Sequence, residues 1–270
     1  MDLKRTAAVA GAFYPDNPAA LRRLIGSLVN PTAKAFPARA VIAPHAGYVY
    51  SGAVAGAVYS SVILPEQVVI LAPAHRPQKP VFAVCTEGAW ETPLGTVAVA
   101  SDLAEMILSR CPAMVSAPEA HANEHSLEVQ IPFLQYFRKS LSLVPINVSS
   151  RASYDQLSGA GEAIAGAIRD LGREVLVIAS TDMSHYLPAA RAKALDQMAI
   201  DRILALDPRG LVETVFDREI SMCGVLPTAA AIVAAVSLGA TRAELIAYAT
   251  SGDVTGDDRE VVGYAGFRLV

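Results

Sequence analysis

Residues Val68-Val69-Ile70-Leu71-Ala72-Pro73-Ala74-His75 form a short apolar run that leads directly into a proline and a histidine. An apolar run of about four to eight residues without polar alternation is typical of a strand covered on both faces, as in a mainly parallel sheet. Further runs of this kind lie at residues 40–43, 141–148, 175–179, 245–249 and 264–270. The sequence therefore predicts a buried sheet whose strands end in polar or glycine-rich loops.

Segments with helical signals separate these runs. Asn17 can cap a helix and Pro18 fits its first turn, which predicts a helix over residues 18–29. Strands that alternate with helices predict the fold class α/β, a three-layer α/β/α arrangement around a mainly parallel or mixed sheet. The sequence has no internal repeat or low-complexity linker, so residues 1–270 are assigned to a single domain. Further helices are predicted over residues 52–62, 101–110, 189–206 and 227–238, and from Ser153 onward.

The composition excludes several classes of protein. Hydrophobic residues make up 53% of the chain and charged residues 18%, which is enough apolar material for a large core and excludes a disordered protein. A net charge of −4 with scattered basic residues gives no footprint for nucleic acid. No run reaches the ~18–20 apolar residues of a membrane span, and the N-terminus lacks a signal-peptide pattern. The three cysteines are odd in number and form no close pair, so they are expected to be reduced thiols. Together these features predict a soluble, cytoplasmic protein.

Three histidines follow predicted strands at the point where each strand ends. They are found in Ala43-Pro44-His45-Ala46-Gly47-Tyr48, in Ala72-Pro73-Ala74-His75 and in Ser180-Thr181-Asp182-Met183-Ser184-His185. Ligands of open α/β sheets bind beyond the carboxyl ends of the strands, so we expect these imidazoles to converge. Neutral imidazole is the commonest metal-binding side chain, and a proline just before it stiffens its approach. The pattern favours His45 and His75 as metal ligands.

The other two histidines and Asp182 leave alternatives open. His121 is expected in a loop or at a pocket rim, and His125 is balanced between a functional and a loop position. Asp182 and His185 are three residues apart and are interpreted as an acid/base pair, in which the carboxylate fixes the tautomer of the ring. A helix N-cap at Asp182 is the alternative.

The cysteines and one glycine-rich segment are less informative. Cys85 and Cys111 are expected to be small buried hydrophobes. Cys223 precedes a glycine and a predicted helix, a setting that favours a thiolate, but its spacing alone does not identify a ligand. The segment 251–257 fits neither a phosphate loop nor a dinucleotide fingerprint and is expected to form a turn or to line the pocket.

Seven motifs in a fixed order carry a family resemblance. They are Gly11-Ala12-Phe13-Tyr14-Pro15, Pro44-His45-Ala46-Gly47-Tyr48, Ala72-Pro73-Ala74-His75, Trp90-Glu91-Thr92-Pro93-Leu94-Gly95, Glu124-His125-Ser126-Leu127-Glu128, Ser180-Thr181-Asp182-Met183-Ser184-His185 and Met222-Cys223-Gly224. In this order they resemble the Memo family, whose bacterial and archaeal members are also called AmmeMemoRadiSam system protein B. The resemblance covers nearly the whole chain.

The resemblance implies a fold and a set of site residues. The implied fold is LigB-like, shared with the catalytic subunit of class III extradiol dioxygenases, where two histidines and a carboxylate hold Fe(II). Memo-like proteins have two histidines and a cysteine at that position, which here are His45, His75 and Cys223. By the same matching, His125, Asp182 and His185 line the pocket as catalytic residues, with His185 in the place of the dioxygenase acid/base histidine.

The implied function is a metal-dependent oxidoreductase with one metal ion. Iron is the first expectation and copper or zinc the alternative, because a thiolate in place of a carboxylate changes the metal preference. For the same reason ring cleavage does not follow from the fold. The substrate is an unidentified small molecule, and the family name links the protein with an AMMECR-type protein and a radical-SAM protein. A zinc hydrolase and a non-enzymatic module that binds a ligand or protein in the same pocket are the competing hypotheses.

Overall fold

Twelve strands and nine α-helices alternate along residues 4–270, the part of the chain that this computed structural model describes. The strands are β1 (Lys4–Arg5), β2 (Ala40–Ala43), β3 (Gln67–Pro73), β4 (Phe82–Val84), β5 (Ala89–Thr92), β6 (Gly95–Val99), β7 (Met114–Ser116), β8 (Ser142–Val148), β9 (Val175–Ser180), β10 (His185–Leu187), β11 (Ala243–Thr250) and β12 (Val261–Leu269). The helices are α1 (Pro18–Leu28), α2 (Tyr48–Ser60), α3 (Ser101–Arg110), α4 (Ile131–Phe137), α5 (Tyr154–Leu171), α6 (Ala189–Leu204), α7 (Pro208–Asp217), α8 (Val225–Ser237) and α9 (Gly252–Thr255).

The strands form one mixed sheet with a parallel centre. Its main path runs β1-β5-β6-β8-β3-β9-β2-β12-β10. The four central strands β8, β3, β9 and β2 are mutually parallel, and Ile70 of β3 lies in register with Pro145 on one side and Ile178 on the other. Antiparallel strands flank this centre, because β12 pairs with β2, β11 and β10 both pair with β12, and β5 pairs with β6. The predicted fold class is confirmed.

Helices cover both faces of the sheet, which explains why its central strands are apolar throughout. Successive side chains of a strand point to opposite faces. Accordingly, Val69 and Leu71 pack under the layer that contains α3, α5, α6, α7 and α8, whereas Val68 and Ile70 pack under α1, α2 and α4. Each such side chain is fully buried, and burial of an aliphatic side chain contributes about 1.5–3 kcal/mol.

The local signals in the sequence located most elements and missed several. All six predicted strands and six predicted helices are present, but α2 begins at Tyr48 rather than after Ser51. Ser51 lies inside that helix, where its hydroxyl donates to the carbonyl of Ala46 rather than capping the first turn. The β5–β6 hairpin and α7 were not predicted, nor were the short strands β1, β4, β7 and β10. The segment 251–257, expected as a turn or pocket wall, contains the short helix α9.

The parallel centre fixes where functional side chains can gather. Because β9 lies between β3 and β2 and all three are parallel, the loops that follow Ala43, Pro73 and Ser180 leave the same edge of the sheet side by side. Within residues 4–270, the helices lack the combination of length and apolarity that a membrane crossing requires.

Candidate metal centre

Three histidines meet beyond the carboxyl edge of the sheet. His45 and His75 each follow the end of their strand by two residues, and His125 comes from the loop between two short 3-10 turns, Pro118–His121 and Glu128–Gln130. The ring centroids are 5.3 Å apart for His45 and His75, 5.6 Å for His45 and His125, and 4.5 Å for His75 and His125. One nitrogen from each ring lies within 4.8 Å of the other two, a spacing that suits a single ion.

The buried hydrogen bonds of His45 fix its tautomer. Its Nδ1 lies 2.9 Å from the hydroxyl of Ser180, and that hydroxyl donates its one hydrogen to the carbonyl of Ser126 at 2.7 Å. Ser180 must therefore accept from Nδ1, so Nδ1 carries the hydrogen and Nε2 carries the lone pair. The backbone N–H of His45 donates to Oδ1 of Asp182 at 2.8 Å, which anchors the loop as well as the ring.

His75 is oriented in the same sense by Glu124. Its backbone N–H donates to Glu124 Oε2 at 2.7 Å, and its Nδ1 lies 2.8 Å from Oε1. Burial alone would raise the pKa of Glu124, but the hydrogen bonds from His75 and the backbone N–H of Ser126 lower that pKa to about 2. The carboxylate is thus an acceptor, Nδ1 of His75 donates to it, and Nε2 is left for a metal, as in many carboxylate–histidine–metal arrangements.

The centre favours neutral imidazoles. Burial, with the neighbouring His75 and His125 as further causes, holds the pKa of His45 well below its ordinary value. Burial and the proximity of His75 likewise lower the pKa of His125, whose Nδ1 lies 3.5 Å from Glu124 Oε1. Neutral imidazole is the form that binds metals, so the two rings are prepared for that role.

Cys223 adds a sulfur atom next to His45. Its Sγ lies 3.3 Å from His45 Nε2, and the backbone N–H of Asp182 donates to the sulfur at 3.3 Å. This approach requires a glycine at 224, since a Cβ there would lie 2.5 Å from the carbonyl oxygen of Ser180. Burial, and next the charge of Asp182, raises the pKa of the Cys223 thiol to about 12, so a bound cation is needed to stabilise the thiolate.

His185 and Asp182 lie in the same pocket but are held by other partners than the sequence suggests. The N–H of His185 donates to the Ser221 hydroxyl at 2.8 Å, and its Nδ1 lies 2.9 Å from the Ser221 carbonyl. A carbonyl only accepts, so Nδ1 carries the hydrogen and Nε2 is a base. Asp182, whose pKa is raised by burial, instead binds the backbone of His45. Ser221, rather than Asp182, therefore fixes the tautomer of His185.

Two cavities reach the centre from different sides. The first, here called the histidine pocket, has a volume of about 650 Å³ and is lined by His45, His75, His125, Asp182, His185 and aromatic side chains, with part of the 251–257 segment at its wall. The second has about 450 Å³, and its lining is mainly apolar, with Val148, Ile220 and Leu226 among it. His75 borders both cavities, whereas Cys223 borders the second.

The remaining cysteines and His121 are interior residues. Cys85 and Cys111 are buried, as the sequence predicts. His121, expected in a loop or at the rim, is only 1% exposed and meets the ring of Trp90 edge-on at 5.7 Å between centroids. The expectation of a rim position was wrong, because the 3-10 turn that ends at His121 packs inward.

One clamp that supports the centre was missed at the sequence level. Arg5 donates from Nε to the carbonyl of His121 and from Nη2 to the carbonyl of Glu124, both at 2.7 Å. Its Nη1 forms an ion pair with the fully buried Glu128 at 2.7 Å. The N-terminal segment thereby fixes the loop that carries Glu124 and His125.

These features define a class: an α/β protein with a histidine-rich candidate metal centre at the carboxyl edge of its sheet. The chain belongs to the Memo family, because the family model for Memo-like proteins matches residues 5–268. The resemblance noted from the motifs is thereby confirmed.

Relatives of nearly equal length support the same assignment. The chain is 44% identical over 277 residues to a MEMO1 family protein of Methanopyrus kandleri, covering 97% of this chain and 98% of that protein. It is 44% identical over 273 residues to one of Methanothermobacter thermautotrophicus, with the same coverage. The crystal structure of an uncharacterized protein from Escherichia coli K12 superposes with a TM-score of 0.53 at 13% identity, covering 84% of this chain and 98% of that one. That last likeness concerns the fold alone.

Proposed function

We propose that this protein is a metal-dependent oxidoreductase that binds one ion of iron or copper. The observation that carries the proposal is the set of three imidazoles whose nitrogens lie within 4.8 Å of one another. His45 and His75 would be the principal ligands, and the sulfur of Cys223, which lies 3.3 Å from Nε2 of His45, would be the third. His125 is either a further ligand or a contact for the substrate.

The donor set fits a transition metal. Imidazole nitrogen suits iron, copper and zinc, and thiolate selects against magnesium and calcium, which prefer oxygen ligands. Hydrogen bonds to Ser180 and Glu124 leave Nε2 of His45 and His75 as lone-pair donors. Three or four protein ligands leave positions free for a substrate, which a closed structural site does not.

The other pocket residues have roles that follow from their hydrogen bonds. A bound iron or copper ion supplies one-electron chemistry at the inner end of the histidine pocket. His185 presents Nε2 as a base and accepts a proton from the substrate, while Ser221 keeps the ring oriented. Asp182 positions two neighbours: its carboxylate accepts from the backbone N–H of His45, and its own backbone N–H donates to the sulfur of Cys223.

The test is metal analysis of protein purified and reconstituted without oxygen. Wild-type protein is expected to take up one iron or copper ion per chain, and His75→Ala and Cys223→Ala are each expected to weaken that binding strongly. Cys111→Ala, which removes a buried thiol that lines neither cavity, is the matched control and should bind as wild type does. His185→Ala should retain the metal and lose turnover. No uptake by wild-type protein would refute the proposal, and turnover with zinc in the absence of oxygen would replace it by a hydrolase.

The same experiment also identifies which residues bind the metal. Equal metal content in wild type and Cys223→Ala would remove the sulfur from the ligand set. If His125→Ala then loses the metal, the three imidazoles alone form the centre. If His125→Ala keeps the metal while Cys223→Ala loses it, the two-histidine, one-cysteine set stands.

A further inference from the structure

Aromatic rings form much of the wall of the histidine pocket. Phe13, Tyr50, Tyr186 and Tyr264 all line it, and the Phe13 ring lies 4.9 Å from the ring of His125 between centroids. Tyr264 is buried, whereas Tyr50 is 40% exposed and Tyr186 is 73% exposed. The pocket therefore offers flat apolar surfaces from its inner end to its mouth.

Tyr186 is held at the mouth at a cost in backbone energy. Its φ of +56° places it in the left-handed region, which disfavours a residue with a side chain by about 1–2 kcal/mol. The large exposure of its ring means that packing does not offset this cost. A strained, exposed aromatic residue directly after His185 indicates a position kept for contact with a ligand.

The fixed charges of the pocket are negative. Its lining contains the carboxylates Asp182, Asp257 and Glu260, and neither lysine nor arginine is part of that wall among the described residues. Asp257 is paired with Arg259, whose Nη2 lies 2.6 Å from Oδ2. Glu260 makes no ion pair within residues 4–270, although the charge of the adjacent Arg259 also acts on it. Two carboxylates of the lining, Asp257 and Glu260, therefore share one guanidinium, which leaves the mouth net negative.

We propose that the histidine pocket binds an organic cation, a primary amine carried on a flat apolar or aromatic body. The ammonium group lies at the mouth, where Glu260 supplies the countercharge and the rings of Tyr50 and Tyr186 supply cation–π attraction. The flat body lies along the aromatic wall, and its far end reaches the three imidazoles. An anionic substrate would need a lysine or arginine that this wall does not offer. The inference rests on the proposed function only in assigning the amine as the substrate of the same centre.

The test compares three probes of similar shape and different charge on metal-free protein. They are 2-phenylethylammonium, 3-phenylpropan-1-ol and 3-phenylpropanoate, and binding is measured by titration calorimetry with ligand-observed NMR for the weak cases. Wild-type protein is expected to bind the ammonium about five- to tenfold more tightly than the alcohol, with the carboxylate weakest. Tighter binding of the carboxylate, equal binding of all three, or no binding of any of them would overturn the proposal.

Substitutions at the mouth of the pocket test which residues cause the tighter binding of the ammonium probe. Glu260→Gln is expected to bring the ammonium close to the alcohol in affinity, and Glu260→Lys to place the carboxylate ahead of the ammonium. Tyr186→Ala should weaken the ammonium and the alcohol alike through the lost ring contact. Glu219→Gln, which removes an exposed charge beside the second cavity, is the matched control and should keep the wild-type order. An unchanged ratio in Glu260→Gln would also overturn the proposal.

The outcome can be separated from that of the proposed function. The probes are compared without metal, so a protein that takes up no iron or copper can still show the preference for cations. Conversely, Glu260→Gln is expected to leave metal uptake unchanged, since Glu260 lies at the mouth, so a loss of the cation preference does not bear on the metal centre.

Discussion

Glu124 binds His75 twice, through the backbone N–H at 2.7 Å and through Nδ1 of the ring at 2.8 Å. The two bonds fix both the position of the loop and the rotation of the imidazole. They also determine which ring nitrogen carries the hydrogen, because a carboxylate with a pKa of about 2 is an acceptor at neutral pH. His75 therefore enters the centre with its Nε2 lone pair free.

Substitution of Glu124 by glutamine is expected to weaken metal binding by about 10–100-fold, the usual effect of losing a carboxylate behind a ligating histidine. Glutamine keeps the size of the side chain but removes its charge. Its NH₂ group only donates, so one of the two His75 donors, the backbone N–H or Nδ1–H, loses its acceptor. The measurement is a competition titration against a chelator of known affinity. Glu119→Gln, an exposed glutamate in the neighbouring turn, is the control. Equal affinity in Glu124→Gln and wild type would contradict the positioning role.

The clamp of Arg5 and Glu128 gives a prediction about stability. Arg5→Ala leaves the fully buried Glu128 carboxylate without its ion pair, and breaking such a pair costs about 3–5 kcal/mol of unfolding free energy. Urea denaturation should detect this loss readily. Lys4→Ala is the adjacent control, because the Lys4–Glu91 pair is solvent-exposed and contributes at most about 1 kcal/mol. Similar effects of the two substitutions would contradict a stabilising role for the buried Arg5–Glu128 pair.

The sequence predicts the fold well where a local pattern is sufficient. Apolar runs locate the strands because both faces of the central sheet are buried, and histidines directly after strands must lie at its carboxyl edge. Helix α7 has the same start signal as α1, because Asp207 caps its first turn and Pro208 follows, as Asn17 and Pro18 do at α1. The β5–β6 hairpin has weaker alternation, and only its pairing with β8 and β1 makes it part of the sheet.

The partners of the candidate ligands could not be predicted in this way. Ser180 contacts His45 from 135 positions further along the chain, and Arg5 contacts Glu128 from 123 positions away. Such contacts depend on the order of strands in the sheet, which no local pattern encodes. Ser221 could not be assigned to His185 for the same reason. The chemical types were visible in the sequence, but their pairing is a property of the tertiary structure.

Thiol chemistry tests the position of Cys223. Because Cys85 and Cys111 are buried and Cys223 borders the second cavity, N-ethylmaleimide should modify Cys223 first in the folded, metal-free protein. Burial raises the pKa of this thiol to about 12, so the rate should rise about tenfold per pH unit between pH 7 and 9. Bound metal should protect it. Peptide mass spectrometry identifies the modified residue, and unprotected Cys223 in metal-loaded protein would argue against sulfur ligation.

His121 gives a prediction for acid stability. Burial, and next the charge of Arg5, lowers its pKa to about 4, whereas an unfolded chain has a histidine pKa of about 6.5. Between these values the unfolded state binds a proton that the folded state does not. The free energy of unfolding therefore falls as the pH is lowered from 6.5 to 4, by up to about 3 kcal/mol from this residue.

His121→Phe removes that titration and keeps a ring beside Trp90. The difference in unfolding free energy between variant and wild type at pH 7.5 measures the change in packing. As the pH falls from there towards 4, this difference should shift in favour of the variant by up to about 3 kcal/mol. Denaturant unfolding at several pH values measures both curves, and comparing them cancels the contributions of the other histidines, which are unchanged. Parallel curves would mean that His121 is already protonated in the folded protein, or that its ring is reached by water, and that burial does not control its charge.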